Sequence, residues 1–307
     1  MKKKIALGIF VALIVAVGLQ VRFDIPAAEV EAKYKLPDSK FIDVKGLRVH
    51  YTDTGKDKEK RETIVLIHGT AASLHTWEGW MPGLKKSFRV IRMDLPAFGL
   101  TGPAPDRNYS IENYVKFLED FFAALGIKQI NLAGNSLGGH IAWRYTAAHP
   151  DDISKLILID SAGLPRMGEI PLPIRLARKA GLSTVAKYIS PRFLVKRSLK
   201  EVYFDATKVN DALIDRYFTM TLREGNRQAF VDRAMQLAED DGKLLRKIGS
   251  PTLILWGRHD RWIPVEQAEN FRKKLLLPQV KIYENAGHIP HEEIPAESLE
   301  DALKFLR

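Results

Sequence analysis

"LAGNSLGGH", residues 132–140, sets one serine between Gly134 and Gly138, directly behind an apolar run that starts near Gln129. A strand that turns sharply into a helix brings two backbone segments too close for side chains, so glycine is needed on either side of the turn. Such a turn lifts the Ser136 hydroxyl clear of the sheet and points the first amides of the next helix at whatever the hydroxyl attacks. The five residues alone also fit an idle serine in a structural turn. Residues elsewhere in the chain weigh against that.

A hydroxyl is a weak nucleophile; it needs a base within hydrogen-bond reach, and the base needs a group to orient it. His288 in "NAGHIPHE" follows a strand-like run, and Asp260 in "WGRHDRWIP" (256–264) follows another. Strand ends of one parallel sheet share an edge, so both side chains are expected beside Ser136. "HGTAAS" (68–73) comes after a further strand, and its loop offers backbone amides that could join the Leu137 amide in holding an oxyanion.

Outward from these points, four short runs read as buried parallel strands: "TIVLIHG" (63–69), "FRVIRMDLP" (88–96), "QINLAGNS" (129–136) and "KLILIDSAG" (155–163). Helical patterns at 110–126 and 138–150 separate the last three, and "FIDVKGLRVHYTDTG" (41–55) alternates like a β-hairpin. From Leu164 to Ile248 the strand signal gives way to helical periodicity. The runs 251–257 and 279–287 then resume the sheet before a terminal helix near 295–306. The expected organisation is a core in two parts, 41–163 and 249–307, interrupted by a helical cap at 164–248.

This chain resembles the α/β-hydrolase-fold serine hydrolases with a helical cap, from about residue 41 to its end. The resemblance rests on the Ser136, Asp260, His288 order together with the glycine-flanked serine turn. It implies a mostly parallel sheet covered by helices on both faces, with Ser136 as nucleophile, His288 as general base and acid, and Asp260 as orienting carboxylate. It further implies an oxyanion hole from the amides of Leu137 and Thr70, with Ala71 as alternative to Thr70. Some members place the acid one core strand earlier, where Asp160 stands; the spacing Gly257-Arg258-His259-Asp260 favours Asp260. "DLPAFGLTG" (94–102) resembles a family turn but carries Ala97 where glycine is usual. His75, His140, His149, His259 and His291 show no partner pattern, and Trp77 and Trp80 read as packing or pocket wall.

The implied activity is hydrolysis of a carboxylic ester through an acyl-enzyme, without metal or organic cofactor. Two alternatives stay open: a carbon–carbon hydrolase of ring-cleavage products, and a non-catalytic binding protein on the same scaffold. The carbon–carbon enzymes tend to carry tryptophan after the histidine, where Ile289 stands here.

The absence of cysteine excludes disulfides, zinc–thiolate sites and thiol nucleophiles. Lys2, Lys3 and Lys4 precede seventeen residues, Ile5–Val21, in which Gln20 is the sole polar side chain. That layout predicts a signal-anchor over 1–21, with a cleaved signal peptide as alternative, a linker over 22–40 and a catalytic domain on the non-cytoplasmic side of a membrane. The formal net charge is +10, and nine basic residues lie between Leu164 and Lys200 against Glu169 alone. Interleaved apolar residues make this either a solvated helical face or a surface for anionic membranes. No nucleic-acid recognition motif accompanies the charge.

Overall fold

The computed structural model describes residues 22–55, 61–179, 190–236 and 241–307. Its centre is an eight-stranded sheet ordered β1-β2-β4-β3-β5-β6-β7-β8. The strands are β1 (Ser39–Val44), β2 (Leu47–Asp53), β3 (Thr63–Ile67), β4 (Arg89–Met93), β5 (Ile130–Asn135), β6 (Ile153–Ile159), β7 (Thr252–Gly257) and β8 (Pro278–Tyr283). Pairing is antiparallel from β1 through β2 to β4 and parallel from there to β8.

The unbroken apolar runs have a direct structural cause: each inner strand feeds two cores. Val65 and Ile67 of β3 join one cluster, with Leu132, Leu158 and Ile254 and the helices Ile111–Leu125, Leu137–Ala148 and Glu266–Lys274. Ile64 and Leu66 point the other way, to Ala133, Ile157 and Leu255 under the helices Met81–Leu84 and Pro295–Leu306. Alternate residues face opposite sides of a sheet, so a strand covered on both faces is mostly apolar along its whole length.

Helix Ile111–Leu125 shows how sequence sets an element's ends. Ser110 precedes it, and its hydroxyl accepts the Asn113 N–H at 3.2 Å. Gly126 ends it at φ +62°, a left-handed conformation that costs glycine little. Between β6 and β7 the chain leaves the sheet for the helices Leu172–Arg178, Arg192–Val202, Asp211–Leu222 and Asn226–Met235. Leu199, Val202, Tyr203, Val209 and Ile214 from this insertion bury together with Ile289 of the core, which seats the insertion over the sheet edge where His288 lies.

Residues 22–40 differ from the expected linker. Ala27–Tyr34 is a helix, and its Val30 packs with Leu100 and Met220. Asp24 pairs with Arg227, Glu31 with Arg48 at 2.8 Å, and Ile25 donates its N–H to the Leu222 carbonyl at 2.7 Å. A few apolar residues, Ile25, Val30 and Tyr34, with partners on distant segments leave no clear periodic signal, which is why the segment reads as a tether in the sequence.

The expected signal-anchor, residues 1–21, lies outside the described residues. Among the described residues no helix is long and apolar enough to cross a membrane. A crossing needs about 20 largely apolar residues, whereas Ile111–Leu125 has 15. The expectation of a transmembrane anchor and a non-cytoplasmic, membrane-anchored catalytic domain is corrected to that statement: no described helix spans a membrane. Membrane contact through the basic insertion is corrected as well. In helix Arg192–Val202, Leu199 and Val202 turn inward, Arg192 pairs with Asp211 and Asp215, and Arg197 pairs with Glu201. Leu199 and Val202 of its apolar stripe are spent on the protein's own packing, while Phe193 stays exposed. Of the basic residues counted, Lys187 lies outside the described residues.

Candidate active site

Ser136 stands between β5 and helix Leu137–Ala148 with φ +54° and ψ −116°, a strained conformation for a side-chain-bearing residue. The glycines around it are required. A Cβ on Gly134 would run into the Gly138 carbonyl, and one on Gly138 would run into the carbonyls of Ile67 and His68. Asn135 braces the turn from beneath: its Nδ2 donates to the carbonyls of Ile159 at 3.1 Å and His288 at 3.0 Å. The serine turn is thereby tied to the loop that carries the histidine.

His288 Nδ1 lies 2.6 Å from Asp260 Oδ2, and both side chains are buried. Asp260 Oδ1 accepts the N–H groups of Trp262 at 2.7 Å and Ile263 at 2.9 Å. The backbone of His288 is held by its own N–H to the Val202 carbonyl at 2.8 Å. Glu293, five residues on, accepts the Gly287 N–H at 2.8 Å and the Asp205 N–H at 2.7 Å, which ties the loop to the insertion. Glu292 beside it takes Thr76, Tyr217 and Arg216.

Ser136 and His288 line one cavity of about 210 Å³ together with Gly69, Thr70, Ala71 and Ala72. The Gly69 backbone lies against the serine: an added Cβ would sit 3.1 Å from Ser136 Cβ and 2.8 Å from Asn135 Oδ1. Thr70 and Ala71 thus both reach the serine's surroundings. Leu137 opens its helix, where the first N–H groups have no intrahelical acceptor. Phe98, Leu172, Leu194, Leu199, Phe230 and Trp262 make the rest of the wall largely carbon. The two cavity-facing guanidinium side chains Arg197 and Arg227 are engaged with Glu201 and Asp24.

The structure therefore brings Ser136, Asp260, His288 and Thr70 to one place, with Leu137 immediately after the serine. Asp160, the alternative acid, directly follows β6 near Asp260, and one ligand atom each of Asp160, Asp260 and His288 fall within 4.8 Å of one another. The other histidines lie elsewhere. His75 binds the Tyr34 carbonyl, His149 meets Glu119, His259 stacks on Phe204 and His140 on Trp143. His291 packs on Trp77, and Trp77 and Trp80 are core residues absent from the cavity wall. Asn135, Glu293 and Trp262 take part without having been singled out in the sequence. Asn135 adjoins the serine and Trp262 lies two residues past Asp260, so proximity is their one sequence signal.

A family profile described as alpha/beta hydrolase fold matches residues 62–295. Among curated proteins, the chain is 28% identical over 276 residues to a 2-hydroxy-6-oxo-6-(2'-aminophenyl)hexa-2,4-dienoic acid hydrolase of Metapseudomonas resinovorans, covering 87% of this chain and 90% of that one. It is 29% identical to a 2-hydroxymuconate semialdehyde hydrolase of Pseudomonas sp. (strain CF600), covering 79% and 84%. Among solved structures, a bacterial membrane phospholipase A aligns with a TM-score of 0.76 at 28% identity, over 99% of this chain and 98% of the other.

Proposed function

From a chain that belongs to the α/β-hydrolase fold family, we propose a serine hydrolase acting on carboxylic esters with an apolar acyl group, through an acyl-enzyme. The observation that carries this reading is the cavity: Ser136 and His288 open into a wall that is mostly carbon, and its two guanidinium groups are engaged in ion pairs. An acyl chain gains from burial there. Similarity to a phospholipase A supports an acyl ester as substrate.

In this reading Ser136 Oγ attacks the ester carbonyl while His288 accepts its proton. Asp260 holds the Nδ1–H, so that the other ring nitrogen faces the serine and the imidazolium is stabilised when it forms. The amides of Leu137 and Thr70 receive the developing oxyanion, and their fixed backbone positions need no reorganisation as charge appears. His288 then gives its proton to the departing alcohol and draws one from the water that releases the acid.

A second reading is favoured by the curated relatives, which support it better than they support ester cleavage: hydrolysis of a carbon–carbon bond in a ring-cleavage product. The same serine would attack a ketone carbonyl, and the proton would go to carbon instead of oxygen.

The test is turnover of p-nitrophenyl esters from acetyl to palmitoyl beside turnover of a 2-hydroxy-6-oxo-hexadienoate, each with Ser136→Ala as control. Ester turnover that the variant abolishes, with little dienoate cleavage, supports the first reading. The reverse pattern replaces it with the second.

A further inference from the structure

Asp160 is fully buried at the carboxyl end of β6 and is not needed for the steps above. It holds a left-handed backbone conformation, φ +43°, which costs energy at a side-chain-bearing position. Its N–H is bound to the Leu255 carbonyl of the neighbouring strand, so the side chain is held beside the loop that carries Asp260. A carboxylate oxygen of Asp160 lies within 4.8 Å of one of Asp260 and of a ring nitrogen of His288.

Counting donors separates their roles. Asp260 receives three: the N–H groups of Trp262 and Ile263 and the ring N–H of His288. Asp160 receives one, the Gly257 N–H at 3.0 Å on Oδ1. Among the described residues nothing partners its Oδ2. Two adjacent buried carboxylates cannot both stay ionised, and the one with three donors keeps the charge. A proton on Asp160 Oδ2 turns an orphaned acceptor into a donor whose acceptor is Asp260.

We propose that Asp160 is a positioning residue: a neutral carboxylic acid that donates a hydrogen bond to Asp260, so that His288 is oriented by an acid–carboxylate pair and not by one aspartate. Burial first, and then the negative charge of Asp260, push the Asp160 carboxyl well above the usual carboxylate range. Glu293 adds to the push, while the Gly257 N–H works against it. His288 and the Tyr283 phenol are the other titratable groups near it. This inference rests on the serine-hydrolase reading for its catalytic meaning. The protonation of Asp160 is a separate matter and can be read without any substrate.

The first experiment is infrared spectroscopy of the whole protein at pH 7, where ordinary carboxyl groups are ionised. A protonated carboxylic C=O band that Asp160→Asn removes is expected. A wild-type spectrum without that band overturns the proposal, and this measurement needs no variant to fold. The second is the acid limb of kcat/KM. An anionic Asp160 about 5 Å from the histidine would hold that limb to higher pH, and its loss would move the limb down by about one unit or more. A neutral Asp160 predicts that the limb of Asp160→Asn stays at the wild-type pH, because the amide keeps both the uncharged state and the donor. Asp160→Ala, which loses the donor, is expected to lower kcat about tenfold while KM holds. A limb that drops in Asp160→Asn, or a raised KM with kcat kept in Asp160→Ala, overturns it. Absence of all turnover in the wild type sinks the hydrolase reading and leaves the infrared result to stand.

Discussion

Both oxygens of Asp260 are occupied, one by two backbone N–H groups and the other by His288. An amide at this position could turn its nitrogen toward the ring and leave the imidazole with the wrong tautomer. Asp260→Asn is therefore expected to fold normally and to lose about 10⁴-fold in kcat. Steady-state kinetics beside a circular-dichroism spectrum checks it, and loss of less than tenfold would show that another group orients His288. The placement of the candidate site residues was the most legible level in the sequence. Ser136, Asp260 and His288 each follow a strand, and one parallel sheet gathers such ends at one edge. The contrast between Asp160 and Asp260 was not legible, because it depends on how many N–H groups each carboxyl meets in space.

At the scale of elements, helix Ile111–Leu125 and the sheet strands carry their boundaries in local residues. Removing the Ser110 hydroxyl leaves the Asn113 N–H without its cap. Ser110→Ala is expected to cost about 1 kcal/mol, read as a lowered urea midpoint with unchanged m-value and unchanged turnover. The inserted helices behave differently, since their placement depends on contacts with the core. Tyr217 and Arg216 of helix Asp211–Leu222 converge on Glu292, and Asp205 and Lys208 reach Glu293, all within five residues of His288. The insertion thus grips the loop that bears His288. In the sequence its basic residues stand out, but Asp211 and Asp215, the acidic partners of Arg192, lie about twenty positions away and give no local sign of pairing.

For the molecule as a whole, several titratable groups are buried in their uncharged or paired forms. Burial, with Arg233 and Arg144 nearby, pushes the His140 imidazole down to about 3, and burial does the same to His291. The unfolded chain then binds protons that the folded chain refuses, so stability falls as pH drops below about 6.5 toward 3. Burial by itself would raise the Asp94 carboxyl, yet the His50 imidazole 2.7 Å away holds it well below the usual carboxylate range. That contribution is present above the ordinary aspartate value and is lost as pH falls further. Urea midpoints measured from pH 7 to 4 are expected to decline. His140→Phe keeps the stacking on Trp143 and removes a buried nitrogen with no partner among the described residues, so its decline should be shallower. An equal slope in parent and variant would show that His140 takes no part.

The order and type of the core elements were determined by the sequence alone. Continuous apolar runs, a capping serine and paired glycines act within a few residues, and short-range sterics and solvation are enough to set them. The chain's serine, aspartate and histidine were legible for the same reason: each sits just past a strand. Three other matters belonged to the tertiary structure. Residues 22–40 dock against the insertion, Arg192 of the basic stripe pairs with Asp211 and Asp215 of a later helix, and Asp160 faces Asp260 across two strand ends. Each depends on contacts between segments far apart in the chain, and burial, charge and hydrogen bonding at such contacts exist only once the sheet has brought those segments together.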